Sequence, residues 1–289
     1  MVGNRKIIWC CLLKCLFVSD LHGVARHFTK LFDLVKEKKP DGFFIGGDIL
    51  PNQFKIRESV DNFLKEELFL KIKKVTSETR FFVILGNDDP RVFEELFIDA
   101  DENGLLNYVH NRTVDFGDLF VSGYSFVPPT PFQLKDWEKY DVSRFVDVGA
   151  VSPEEGIRTV DVKNDAKRYD TISEDLKALS KNAPVDKTIF LFHSPPYKTH
   201  LDRVAVDGKM VDNAPLDVHV GSIAIRRFIE KKHPLLTLHG HIHESVGLTG
   251  DWREKFPKTF SFSAAHDGPE LAVVSFNTDC LEKASRELF

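Results

Sequence analysis

The chain has 289 residues, 42% of them hydrophobic, and a formal net charge of −5. That is apolar material for one large domain or two small ones, and with no Pro/Gly/Ser-rich linker to divide it the expectation is a single domain over 1–289. The acidic balance argues against a broad basic surface for duplex nucleic acid, and leaves small anionic substrates open where bound cations supply the local positive charge.

The apolar run from Ile7 to Val18 resembles a targeting segment in composition only. Lys14 interrupts it, no small-residue cleavage site follows, and it falls short of the roughly 20 residues that span a bilayer. It reads as one or two buried strands, with no membrane partner. Cys10, Cys11, Cys15 and Cys280 form neither a disulfide framework nor a zinc spacing. They read as reduced core thiols of a cytoplasmic protein.

Cys15–Ser19 is a buried strand that stops at Asp20-Leu21-His22-Gly23. Phe28, Leu31, Phe32 and Val35 then recur at helical spacing, and Pro40-Asp41-Gly42 ends that helix by turn chemistry. Phe43–Ile45 is a second strand, ending at Gly46-Gly47-Asp48. Val60, Phe63, Leu64, Leu68 and Ile72 mark a second helix. Phe81–Leu85 is a third strand, ending at Gly86-Asn87-Asp88-Asp89-Pro90. Strand, helix, strand, helix, strand predicts a parallel sheet. Asp and Asn at strand exits serve equally well as turn or cap residues; three such exits in succession favour a site at the carboxyl ends of the strands.

From Leu106 to Tyr124 the texture changes to short alternating segments, with a hairpin around Gly117-Asp118 opening a second sheet. Residues 126–170, rich in Pro, Asp, Lys and aromatics, read as an insertion or cap. Trp137, Tyr140 and Phe145 either line a pocket or pack this insertion down, and packing is preferred. Ile172–Leu179 is a helix and Thr188–Phe192 a buried strand that exits at His193. Ser222 caps a helix whose Ile225, Phe228 and Ile229 face inward. Pro234 breaks it and leads to Leu238-His239-Gly240-His241-Ile242-His243, where two imidazoles two residues apart would point to one side of an extended backbone. The segment 260–276 alternates and is expected to return as strands of the second sheet.

Asp20, His22, Asp48, Asn87, His193, His241 and His243 thus come from five separate segments and offer only oxygen and imidazole donors. The mixture suits Mn, Fe, Zn or Co. Seven side chains exceed what one tetrahedral zinc uses, and match two divalent ions sharing a carboxylate.

Asp20-Leu21-His22, Gly47-Asp48, Gly86-Asn87, His193 and Gly240-His241-Ile242-His243 together resemble the ordered motif set of the calcineurin-like metallophosphoesterases. The resemblance implies an α/β fold of two packed mixed β-sheets flanked by helices, a four-layer sandwich with the metal site at the strand carboxyl ends. It implies that Asp20, His22, Asp48 and His243 hold one metal and that Asp48, Asn87, His193 and His241 hold the other, with Asp48 bridging. Manganese is the favoured ion. A water shared by the metals would ionise near neutral pH and attack phosphorus in line.

The chain departs from the family at one position. Many members carry Gly-Asn-His, with the histidine thought to protonate the leaving oxygen; here Asp88 stands in its place. A carboxylate beside two dications would stay ionised and donate a proton poorly. His219 is a candidate donor, although a structural role is the commoner one for such a histidine. Members lacking the family histidine look like phosphodiesterases, so the expected activity is hydrolysis of a small soluble phosphodiester, a nucleotide among the candidates, with Asp48, Asn87, Asp88 and His219 at the reacting centre. The alternatives are a phosphomonoesterase and a binding or scaffold protein that has lost catalysis. Arg91, Lys198 and Arg203 are candidates to grip phosphate, although solvated surface charge is the commoner role for each, Tyr197 is a candidate to stack on a base or aromatic leaving group, and a homo-oligomer is compatible with the sequence.

Overall fold

The computed structural model describes residues 12–51 and 57–289, apart from the side chains of 57 and 58. Residues 7–11 of the Ile7–Val18 run, with Cys10 and Cys11, lie outside the described residues. The chain opens with β1 (Lys14–Val18), the helix Ala25–Lys38, β2 (Gly42–Gly46), a helical stretch over 57–73 that passes through a π segment at Leu64–Phe69, β3 (Arg80–Ile84), the helix Glu94–Glu102 and β4 (Asn107–Tyr108). The four strands pair in parallel, with Phe17, Phe44 and Phe82 in register. Successive side chains of a strand face opposite ways, which explains the doubled aromatics. Phe44 and Phe82 stack at 5.0 Å on the face toward the second sheet, while Phe43 and Phe81 stack at 5.5 Å on the face covered by helices.

The hairpin follows as β5 (Thr113–Phe116) and β6 (Leu119–Tyr124), then come β7 (Thr188–Phe192), a two-stranded ribbon of β8 (Met210–Val211) and β9 (Ala214–Pro215), β10 (Leu236–His239), β11 (Arg253–Lys255), β12 (Phe260–Ser263), β13 (Ala272–Asn277) and β14 (Ser285–Leu288). The second sheet runs β11-β12-β10-β7-β6-β5 and the first runs β14-β13-β1-β2-β3-β4. Both are mixed, and they pack through a core in which Phe17, Phe44, Phe82 and Phe276 meet Val121, Leu191, Leu238 and Phe262. Helices cover the outer faces.

One expectation about the second sheet is corrected. Only Phe260–Ser263 of the 260–276 segment lies there; Ala272–Asn277 crosses to the first sheet and pairs antiparallel with β1, Val274 opposite Phe17. Alternation identifies a strand but not the sheet that receives it. Here Val274 and Phe276 complete the inter-sheet core beside Phe44, and β13 covers an edge of β1 that would otherwise expose unpaired backbone.

The 126–170 region has little regular structure beyond the helix Asn164–Tyr169. Buried polar contacts tie it down. Trp137 is fully buried and donates its Nε1–H to the Asp89 carbonyl at 2.7 Å, and Asp141 accepts from Ser222 Oγ and from the Ile223 and Ala224 amides at the start of the helix Ile223–Lys232. Tyr140 is buried as well, so packing describes both of these aromatics, whereas Phe145 is 70% exposed and packs nothing down.

Candidate metal centre

Every candidate ligand sits just past the carboxyl end of a strand: Asp20 and His22 after β1, Asp48 after β2, Asn87 after β3, His193 after β7, and His241 and His243 after β10. The turns are tight. Asp20, His22, Asp48 and His241 all have positive φ, between 44° and 73°. Such backbone strain in residues with side chains gathers at functional sites and persists where the surroundings over-determine it. Here the Asp20 amide donates to the Gly47 carbonyl at 3.0 Å and the His22 amide to the Asp48 carbonyl at 2.8 Å, lacing the first two loops together.

The glycines beside the ligands are there for room. A Cβ on Gly86 would stand 2.2 Å from Asp48 Oδ1, and one on Gly240 would stand 2.0 Å from Ser19 Oγ and 2.7 Å from Asp20 Oδ2. Both loops pass as close to a carboxylate as a bare backbone allows.

Two groups of donor atoms result. Those of Asp20, His22, Asp48 and His243 all lie within 4.8 Å of one another, as do those of Asp48, His193 and His241, so Asp48 belongs to both. Asn87 joins the second group, its Oδ1 lying 3.0 Å from His193 Nε2. His22 Nε2 and His243 Nε2 lie 3.2 Å apart, within hydrogen-bonding reach of each other. The donor set fits two divalent cations bridged by a carboxylate.

The extended-backbone reading of His241 and His243 is corrected in one respect. β10 ends at His239 and His241 has φ 73°, so strand alternation stops before the pair, and the two rings serve different groups. His239, buried with Nδ1 2.9 Å from the Ser194 carbonyl and Nε2 2.8 Å from Thr237 Oγ1, is a structural histidine.

Electrostatics follow from burial and pairing. Burial opposes ionisation of Asp48, yet its contact with His193 holds the carboxyl well below the usual range. Burial likewise opposes a charge on His193, but Asp48, with Asp20 and the Gly46 carbonyl behind it, raises the imidazole to about 10 in the metal-free centre. His243 rises to about 9 against burial through its hydrogen bond and attraction to Asp20. Divalent ions would take the place of those protons. The Gly46 carbonyl, 2.7 Å from His193 Nδ1, accepts that N–H and leaves Nε2 for a metal.

Asp88 sits beside the ligands without joining either group. Its Oδ1 accepts from Asn87 Nδ2 at 3.1 Å, which turns the Asn87 carbonyl oxygen inward, and its own amide donates to Asp48 Oδ1 at 2.8 Å. Burial and the neighbouring Asp48 raise its pKa to about 6 in the metal-free centre. His219 reaches the same cleft from the loop after β9, its Nδ1 2.8 Å from Asp202 Oδ1.

Two supporting carboxylates escaped the sequence reading. Buried Asp89 accepts from the Ile49, Leu50 and Gly86 amides, locking the β2 and β3 exits together, and buried Asp202 gathers the Lys198, Thr199 and Gly221 amides along with His219. An acidic residue adjoining a ligand motif was the only available signal for Asp89; Asp202 had none.

Arg91, Lys198 and Arg203 do not line the cleft that holds the ligands. Arg91 pairs with Glu94 over the Trp137 ring, and Arg203 pairs with Asp207. Lys198 and Arg203 line a separate hollow of about 680 Å³ on the far side of His219. Tyr197 donates to Asp217 at 2.6 Å and packs against His219, steadying that loop.

Comparison with known proteins agrees with this geometry. The family model described as calcineurin-like phosphoesterase matches residues 13–245. Among solved structures, one aligns with a TM-score of 0.60 at 17% identity over 96% of this chain and 99% of its own. A protein of Thermus thermophilus aligns at 0.57 and 15% over the same shares. A dimetal phosphatase from Danio rerio aligns at 0.52 and 9%, over 92% of this chain and 95% of that one. At these identities the likeness is one of fold. No curated protein matches the sequence.

Proposed function

Because the chain belongs to the calcineurin-like phosphoesterases, a metal-dependent phosphoester hydrolase is the starting point, and we propose that it is a two-metal phosphodiesterase acting on a small soluble diester. The proposal takes 1–289 as one domain, with 126–170 capping the cleft, and places the protein in the cytoplasm on its cysteine usage. Asp20, His22, Asp48 and His243 would hold one ion, and Asp48, Asn87, His193 and His241 the other, with manganese preferred. When bound, the pair supplies a nucleophilic water ionised near neutral pH and a positive field for the phosphoryl oxygens.

The observation that carries the diester reading is the charge of the cleft. It is lined by Asp88, Asp147, Asp217 and Glu244 and, among the described residues, by no Lys or Arg. A monoester brings about two negative charges near neutral pH and would meet no protein cation there, whereas a diester brings one. The chain's own residues supply the remaining parts. Asp48 would be shared by the two sites, Asn87 would add a neutral carbonyl oxygen oriented by Asp88, and His219, whose Nδ1–H donates to Asp202, would present Nε2 to the leaving oxygen, a donor there only when both ring nitrogens carry protons.

Comparing turnover of bis-(p-nitrophenyl) phosphate and p-nitrophenyl phosphate in excess manganese tests the reading. The diester should turn over with the higher kcat/KM; exclusive turnover of the monoester would replace it with a phosphomonoesterase, and no turnover of either would favour a binding protein on the same fold.

A further inference from the structure

The metal centre opens into a cleft of about 470 Å³ whose far wall differs sharply in character from the ligand side. Two segments without close sequence neighbours build that wall. From the 126–170 region come Pro128, Pro131 and Phe132, and from the segment between β7 and the helix Ile223–Lys232, which carries the β8–β9 ribbon, come Val206, Val211 and Leu216. Phe132 is 57% exposed and Val211 39%, and Val148 on the same wall is 42% exposed. Exposed apolar side chains scattered singly need no explanation; several converging on one concave surface beside a reactive centre do. Among the carboxylates of the cleft, Asp147 and Asp217 adjoin Val148 and Leu216, so a polyanionic substituent on this wall would meet repulsion, whereas an uncharged apolar one would cover the exposed apolar side chains.

We infer that this wall is the specificity pocket of the enzyme, and that it receives an uncharged apolar substituent, aryl or short alkyl, on the phosphorus being attacked. The inference rests on the phosphoesterase reading above and narrows its substrate class: one ester oxygen carries the apolar group into the wall, and a second phosphate or other anion in that position is excluded. Binding the apolar group also anchors a small substrate that has a single phosphoryl charge with which to hold on.

Binding without turnover separates the two claims. Isothermal titration of the manganese-loaded protein with phenylphosphonate, methylphosphonate and phosphonoacetate should rank them in that order, phenyl roughly tenfold or more tighter than methyl, the order of discrimination a hydrophobic pocket gives. Equal affinities, or tighter binding of phosphonoacetate, would overturn the inference. Phe132→Glu and Val211→Glu, both at exposed positions where folding is not at stake, should collapse the phenyl-to-methyl ratio toward one. Phe145→Glu, in the same region and off the cleft, should leave the ratio unchanged; a ratio that survives both wall substitutions, or falls equally with Phe145→Glu, refutes the assignment. A phenyl preference in binding combined with no hydrolysis of any ester would count against the proposed activity and leave the pocket standing.

Discussion

Replacing Gly86 with alanine tests the centre with one methyl group. The backbone at Gly86 is open to any residue, so the effect is steric. The new Cβ would lie 2.2 Å from Asp48 Oδ1, 2.5 Å from the Asp48 backbone nitrogen and 2.6 Å from His193 Cε1. Ordinary contact begins at 3.4 Å, so the Asp48 oxygen has to retreat by about 1.2 Å, the difference between 2.2 and 3.4 Å. Metal–ligand distances tolerate roughly 0.2 Å. The expected outcome is loss of at least one of two metals, measured by elemental analysis of the dialysed protein, and a fall of roughly 100-fold or more in turnover of bis-(p-nitrophenyl) phosphate. Overpacking should cost about 1–3 kcal/mol of stability, readable by denaturant unfolding. Gly104→Ala, at a position with nothing within 4 Å but φ +68°, is the matched control: strained, remote, and expected to keep its metals. If Gly86→Ala folds, retains two metals per chain and hydrolyses the diester within about twofold of wild type, the placement of Asp48 as the shared ligand is wrong.

Three further outcomes are expected. Asp48→Asn should lose metal and turnover while circular dichroism shows the fold kept; unchanged metal-dependent turnover would remove Asp48 from the bridge. His219→Gln should lower kcat about 100-fold for an alkyl leaving group and far less for p-nitrophenolate, which needs no proton; equal losses on both substrates would make His219 structural. His110 lies away from the centre, half-buried by area but enclosed by the Tyr124, Phe126 and Trp137 rings, with Nδ1 accepting from the Ser125 amide. Burial, then repulsion from Arg91 and Lys139, lowers its pKa from 6.5 to about 3. The folded state therefore keeps it neutral while the unfolded chain protonates, so stability present above pH 6.5 is lost as pH falls toward 3, by about 3 kcal/mol at pH 4. Denaturant unfolding between pH 7 and 4 should show a shallower decline in His110→Gln, and an identical slope would acquit this residue.

Each strand exit could be read in the sequence because an apolar run of four or five residues ending in Asp, Asn or His is a local pattern, and the helices Ile172–Leu179 and Ile223–Lys232 with the Ser222 cap are local in the same sense. Joining five such exits into one site required a family resemblance, since no spacing along the chain brings Asp20 within reach of His243.

What the sequence determined alone was therefore the kind of donor at each strand end, the alternating faces that doubled Phe43-Phe44 and Phe81-Phe82, and an acidic balance unsuited to duplex nucleic acid. Tertiary structure decided the rest: that Ala272–Asn277 seals the first sheet, that His241 and His243 part company at a positive φ, that Asp89 joins the β2 and β3 exits while Asp202 closes the loop from Lys198 to Gly221, and that the 126–170 region and the segment carrying β8 and β9 meet in an apolar wall. Side-chain periodicity reports which face of an element is buried, and is silent on which distant element buries it; contacts between segments 70 or 200 residues apart are fixed only when the whole chain packs.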